Sequence, residues 1–370
     1  MLYFDHNATS PLSRAARAAW LDATERFPAN PSSPHRLGSR AERALDDARE
    51  SLAACIGCEP HEIVWTSGAT ESNNTAIAHL AAASTGEAWI SAIEHPCVLA
   101  PVRRHFAERH RFIPARRDGA IELDWLRAEL VRARPVFVGI MAANNETGVL
   151  QPWREALALC REHGVPFFCD AAQWLGKLPA AGLGAADYLS GCAHKFGGPA
   201  GVGFLKAPVS LKASLLGGPQ EDGRRAGTEN TAGILAMIAA LGEREAAMAN
   251  ELPEKLEIRT QFERDLLLRL PGSAIIGAPA DRLWNTVSAV MPAIDCRQRW
   301  VVKLDKLGFA VSTGSACASG KEDPSHVLTA LDYAPEEAAR VLRFSSGWET
   351  RAADWSELLD GVLRAAAELV

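Results

Sequence analysis

The sequence predicts an α/β fold: a mainly parallel sheet in a large domain, with a smaller α+β domain attached. Three observations lead there. Short apolar runs (Ala88 to Ile93, Val136 to Met141, Val165 to Cys169) alternate with amphipathic stretches (Leu123 to Val131, Arg154 to His163), the order that parallel strands and crossover helices produce. The runs lead into polar residues, Glu94-His95-Pro96, Asn144-Asn145-Glu146 and Asp170, at the strand ends where open α/β sheets bind ligands. The chain has 370 residues, more than one core usually fills, so a second domain is expected. Residues 14–250 are expected to form the large domain, and residues 1–13 together with 251–370 the small one.

In chain order, apolar residues recur at helical spacing from Pro11 to Leu21 and from Ser39 to Cys55, with Asn30-Pro31-Ser32-Ser33-Pro34 as the break. Glu62 to Trp65 reads as a strand running into Thr66-Ser67-Gly68-Ala69-Thr70 and a helix from Glu71. A strand, a turn of small residues and a helix start together offer free backbone N–H groups, which suit a phosphate, although many such turns hold none. Past the apolar runs, Asp187 to Gly203 opens as a short strand and leads through His194-Lys195 into a glycine-rich loop. Gly217 to Asn230 is too rich in glycine and charge for core. A long helical region follows from about Thr231 to Leu270, with Pro253 as a candidate break, and carries the chain into the small domain. From Ala274 to Val370 strands and helices alternate again around the small-residue stretch Ser312 to Gly320, which holds Cys317.

Lys195 is flanked by Ala193, Phe196 and Gly197, so its amine has little local charge to pair with and can be held desolvated and unprotonated, as a Schiff-base lysine requires. From that stretch alone an ordinary surface lysine beside a turn fits equally well. Asp170 tips the balance. A carboxylate at the C-terminal end of a buried strand, upstream of such a lysine, suits a pyridoxal phosphate (PLP) site, where it keeps the pyridine nitrogen protonated.

A net charge of -6 without Lys/Arg blocks gives no reason to expect nucleic-acid or anionic-membrane binding. The opening MLYFDHNATS has no basic region followed by an apolar core, and no segment runs long enough without charge to span a bilayer, so a cytoplasmic location is expected. Eight cysteines without regular spacing do not resemble a disulfide framework. Cys55 and Cys58 form a CxxC, but no second pair follows at zinc spacing, and no metal site is expected.

The ordered motifs FDHNAT (from Phe4), NPSS, TSGATE, IEHP, ANNETGV, DAAQ, AHK, RRAGTEN, TGSAC and LRFSSG make nearly the whole chain resemble the cysteine desulfurases. These belong to the class V aminotransferase group of fold-type I PLP-dependent transferases. Gly314-Ser315-Ala316-Cys317, continuing into Asp323-Pro324-Ser325-His326, is similar to the branch of bacterial iron-sulfur and nitrogenase-type enzymes. The resemblance implies that Lys195 carries PLP in the large domain, that Asp170 partners its ring nitrogen, and that Gln173 hydrogen-bonds its phenolic oxygen. Ala69, Thr70 and His194 are implied to hold the phosphate, with Thr228 reaching in across a homodimer interface. Asn145 is implied to lie beside ring and substrate, and His95 to stack on the ring and move protons. Arg343 is implied to grip the substrate carboxylate with its planar fork. Cys317, on a loop of the small domain, is implied to take sulfur from L-cysteine as a persulfide, leaving L-alanine. The sulfur then passes to a protein acceptor such as an iron-sulfur scaffold or another carrier.

The chain departs from that pattern in places. Cys192 stands where most relatives have a serine that donates to the phosphate, and a thiol is a weaker donor. Ala200 replaces a common lysine, while Asp295-Cys296-Arg297 and Gly347-Trp348-Glu349 replace Gly-Glu and Gly-Arg-Phe patterns. Two rival readings stay open: a selenocysteine lyase or another class V aminotransferase-type enzyme, and a weakly active binding subunit of a sulfur-transfer assembly. Cys317 argues for sulfur transfer over transamination, and retention of every expected catalytic residue counts against the binding subunit.

Overall fold

The computed structural model describes residues 1–294, 297–313 and 325–367. Its strands are β1 (Leu2–Tyr3), β2 (Ile63–Thr66), β3 (Ala88–Ser91), β4 (His110–Ile113), β5 (Phe137–Gly139), β6 (Phe167–Asp170), β7 (Tyr188–Cys192), β8 (Gly203–Lys206), β9 (Ala274–Ile275), β10 (Thr286–Val290), β11 (Phe309–Ala310) and β12 (Val341–Ser345). The helices are α1 (Arg14–Arg26), α2 (Arg36–Ile56), α3 (Ala69–Ala83), α4 (Pro96–Phe106), α5 (Leu123–Arg132), α6 (Trp153–Glu162), α7 (Thr231–Arg269), α8 (Arg297–Lys306), α9 (His326–Ala330), α10 (Pro335–Ala338) and α11 (Ala352–Ala367).

A seven-stranded sheet in the order β2-β8-β7-β6-β5-β3-β4 forms the larger layer. Strands β3 to β7 run parallel to their neighbours, and β8 pairs antiparallel with both β2 and β7. Strands β2, β3, β5, β6, β7 and β8 are buried at every position because helices cover both faces, which is why their sequences are mostly apolar. Val64, Ile90, Phe137, Phe168 and Leu205 meet α3 and α4 on one face. Their chain neighbours Trp65, Trp89, Val138, Phe167 and Phe204 meet α1, α2, α5, α6 and the start of α7 on the other.

A three-stranded antiparallel sheet, β12-β10-β9, and the parallel pair β1-β11 make the smaller layer. Their core gathers Phe4, Phe262, Leu266, Val287, Trp300, Phe344 and Trp355. Helix α7 joins the two, packing Ile234, Met237 and Leu241 into the first core and Phe262 and Leu266 into the second.

Pro253 does not break α7. Ala249 and Pro253 are both exposed, so the carbonyl that loses its donor is open to water. Helix α1 starts at Arg14 rather than Pro11 because the Ser13 side chain accepts from the Ala16 N–H and caps it there. Strand β4 and the antiparallel course of β8 were not foreseen: His110, Arg111 and Phe112 are only partly covered on an edge strand and carry no apolar pattern. Cys55 and Cys58 are half-buried free thiols that burial pushes up to about 12 and about 11, and the described residues hold no metal-ligand cluster. Among the described residues no helix is long and apolar enough to cross a membrane.

Candidate active site

The C-terminal ends of β2, β3, β5, β6 and β7 converge on a cavity of about 430 Å³. Lys195 enters it from the tight turn Ala193–Lys195 that follows β7. Its Nζ donates to the carbonyl oxygens of Asn7 and Ala8, each at 2.7 Å. Burial lowers the Lys195 pKa, with the nearby Cys192 pulling the other way and Arg343 adding to the fall.

Asp170 closes β6 and is 5% exposed. Its Oδ1 accepts from the Ala172 N–H at 2.9 Å and its Oδ2 from Asn73 Nδ2 at 2.8 Å, so neutral donors hold a buried carboxylate against the cavity. Helix α3 begins beside them with Gly68 as its N-cap and no capping side chain. The backbone N–H groups at Ala69 and Thr70 therefore start a helix whose positive end lines the cavity. Gly203 lets β8 approach this turn, since a Cβ there would stand 2.6 Å from the Gly68 Cα.

Cys192 and His194 flank the same end, Sγ and Nε2 lying 3.9 Å apart. Burial pushes the Cys192 thiol up to about 11 and drives His194 down to about 4, so both are neutral at pH 7. His95 caps α4 through Nδ1, which accepts from the Cys97 N–H at 3.1 Å. That bond leaves the proton on Nε2, and burial lowers its pKa. Arg343 on β12 is 1% exposed; Nη1 donates to the Asn145 carbonyl at 2.9 Å and Nη2 pairs with Asp5 Oδ1 at 2.7 Å.

The cavity thus brings together Ala69, Thr70, His95, Asn145, Asp170, Gln173, Cys192, His194, Lys195, Arg343 and also Ala200. Thr228 is exposed and does not line it. Cys317 lies outside the described residues, as do Asp295 and Cys296. Several members escaped residue-by-residue reading. Asn7 supplies a carbonyl to Lys195, Asn73 holds Asp170, and Cys97 Sγ sits 2.9 Å from His95 Nδ1. Glu94 is fully buried: Oε1 accepts from the Met141 N–H at 2.6 Å, and Oε2 has no partner among the described residues. Burial, then the nearby Asp170, raises it to about 8. Asn7, Asn73 and Cys97 lie within or beside a quoted motif, and that adjacency was the only signal for them; Glu94 also stood in the polar strand end Glu94-His95-Pro96.

The Aminotransferase class-V profile matches residues 2–358. The chain belongs to the class V aminotransferase family. Among its relatives is "Cysteine desulfurase IscS" of Dictyoglomus turgidum, 36% identical over 379 residues, covering 100% of this chain and 95% of the relative. A solved "NIFS-like protein" superposes with a TM-score of 0.90 at 26% identity and covers 99% of both chains. The structure titled "SspA in complex with cysteine" superposes with a TM-score of 0.80 at 30% identity, covering 93% of this chain and 98% of that one. For a class V chain, the mixed sheet and the ligand cavity at its strand ends are the family's architecture.

Proposed function

We propose that this protein is a cysteine desulfurase that takes L-cysteine to L-alanine, collects the sulfur on Cys317 as a persulfide and passes it to a protein acceptor. One observation carries the reading: a buried amine, a buried carboxylate and an uncapped helix start share one cavity, in a chain similar end to end to relatives named cysteine desulfurase. The relative solved with cysteine supports that amino acid as the ligand.

The residues fit PLP, the cofactor on which the family depends. Lys195 offers an amine held only by main-chain oxygens among the described residues, Asp170 a buried carboxylate, and α3 a helix start without a capping side chain, at a turn where Gly68 has no side chain to fill the space. In this reading Lys195 would carry the cofactor, Asp170 would partner its ring nitrogen and Gln173 would hydrogen-bond its phenolic oxygen. Ala69, Thr70, Cys192 and His194 take the phosphate, joined by Thr228 of a second copy in a homodimer. When bound, PLP supplies an electron sink that lets an amino acid lose its Cα proton.

The chain's own groups do the rest. The lowered pKa of Lys195 lets its freed amine accept the Cα proton and return it. His95, neutral with its proton on Nε2, can hold or deliver a proton at the substrate. Arg343 and Asn145 orient the substrate carboxylate. The Cys317 thiolate attacks the substrate sulfur: an S–S bond forms as the Cβ–S bond breaks, and Cβ gains a proton. Sulfur is oxidised as carbon is reduced, so cysteine plus thiol gives alanine plus persulfide without an outside oxidant.

The test is alanine and sulfide release from L-cysteine, with and without candidate acceptors. Wild type should release alanine and show a yellow protein-linked chromophore that Lys195→Ala lacks. Cys317→Ser should bind PLP and L-cysteine yet release no alanine and carry no persulfide. Full alanine release by Cys317→Ser would overturn the assignment of the nucleophile, and a chromophore covalently retained by Lys195→Ala would move the amine elsewhere.

A further inference from the structure

Lys177 is 3% exposed and lies behind the wall of the cavity. Among the described residues its amine meets no carboxylate. It donates to Gln173 Oε1 and to Asn7 Oδ1 at 3.0 Å, an oxygen that Asn285 Nδ2 also reaches at 3.1 Å. The amine's N–H groups meet the side-chain oxygens of both amides, whose nitrogens face elsewhere. Gln173 Nε2 then turns to the cavity side, where it donates to the Asn7 carbonyl at 2.9 Å and keeps a second N–H to give. Asn7 Nδ2 turns to the Asn145 carbonyl at 3.2 Å and Thr286 Oγ1 at 2.9 Å. The Asn145 carbonyl is the same oxygen that Arg343 Nη1 holds at 2.9 Å.

The peptide that carries Lys177 is itself fixed from the smaller layer. Trp284 Nε1 donates to the Lys177 carbonyl and Trp348 Nε1 to the Gly176 carbonyl, both at 2.8 Å, and the two indoles pack with ring centroids 4.5 Å apart. Gly176 takes φ +68°, and a Cβ there would lie 2.2 Å from the Cβ of Phe196, the residue after Lys195. The Gly347-Trp348-Glu349 departure so finds a structural use: Trp348 holds this turn, and Glu349 pairs with Arg244 at 2.8 Å.

We propose that Lys177 is a positioning residue that sets the orientation of the Gln173 amide, so that position 173 presents a hydrogen-bond donor, not an acceptor, to the cofactor's phenolic oxygen. The proposal rests on the PLP reading above. An anionic oxygen accepts from Nε2 and is repelled by Oε1, so an amide free to turn over weakens the cofactor's hold. Burial, reinforced by the charges of Lys195 and Arg343, lowers the Lys177 pKa well below its usual value, and a neutral amine still has the two N–H groups this role uses.

The experiment follows cofactor loss from holoenzyme diluted into a PLP trap, together with the position of the chromophore band at fixed pH. The variants are Lys177→Met, Gln173→Ala and the double variant, with thermal melts alongside. Losing a hydrogen bond to a charged group predicts cofactor release roughly 10-fold faster in Lys177→Met, with a displaced band. In the Gln173→Ala background, removing Lys177 should add little, because its effect passes through Gln173. If Lys177→Met does not fold, the same cycle is run with Lys177→Gln, whose shorter side chain ends in an amide with an acceptor as well as donors and should release the cofactor faster than wild type. Wild-type release rates and band positions in the folded Lys177 variants, or full additivity in the cycle, would overturn the proposal. A wild-type protein with no PLP chromophore would overturn the reading beneath it, and is told apart because no variant is needed to see it.

Discussion

Replacing Glu94 with glutamine tests the electrostatics behind Asp170. Glu94 is fully buried, and burial with the nearby Asp170 raises its pKa from 4.5 to about 8. A carboxyl whose folded pKa is raised favours the fold fully below its unfolded pKa and loses that contribution as pH climbs through the folded value. Between pH 4.5 and about 8, at about 1.4 kcal/mol per pH unit, the loss is on the order of 5 kcal/mol. Glutamine keeps an oxygen for the Met141 N–H and cannot ionise. Groups shared by both proteins cancel when the two are compared. Urea unfolding should therefore give Glu94→Gln and wild type similar midpoints at pH 5. At pH 9 the variant should lead by on the order of 1 M, for an m-value of a few kcal/mol/M. The same gap at both pH values would refute the argument, since it would mean that Glu94 does not change charge in the folded protein over this range.

The remaining predictions concern the cavity wall. Cys192→Ser should keep turnover and release PLP no faster than wild type, because a hydroxyl is the stronger donor; faster release in a trapping assay would count against Cys192 as a phosphate contact. Gly176→Ala should lower the unfolding midpoint by the equivalent of about 3 kcal/mol or more, combining the left-handed backbone with the 2.2 Å approach to Phe196. An unchanged melt would mean the turn repacks freely.

The parts of the site legible in the sequence were those in which one residue type does one local thing. Asp170 follows an apolar run and so ends a buried strand, and Thr66 to Thr70 joins a strand to a helix, which fixes where free N–H groups point. Asn7, Asn73 and Lys177 are different: each acts on a residue far along the chain or through another side chain, and the spacing in the sequence holds no trace of that. Lys177 follows Gln173 by four residues, but the segment is a chain of turns rather than a regular helix. In the fold, Pro253 misled because a proline's effect depends on whether the freed carbonyl reaches water, which exposure decides and sequence does not. Strand β4 went unseen because it sits at the edge of the sheet, where burial does not demand an apolar pattern.

The opening residues are held by the far end of the chain. The Asn7 N–H donates to Ser345 Oγ across 338 positions, the Phe4 N–H to the Ala310 carbonyl, and β1 lies against β11. Yet Asn7 and Ala8 are the residues whose carbonyls receive the Lys195 amine. During synthesis the strands of the large sheet, complete by Lys206, can pair long before Ser345 has left the ribosome. Until then that segment is held only from the large-sheet side, by Gln173 and Lys177 on Asn7 and by the His194 carbonyl on the Ser10 N–H, and Arg343 is not yet in the cavity. The complete cavity is therefore a late product of translation, and a chain cut short anywhere before β12 would fold a sheet around an unfinished site.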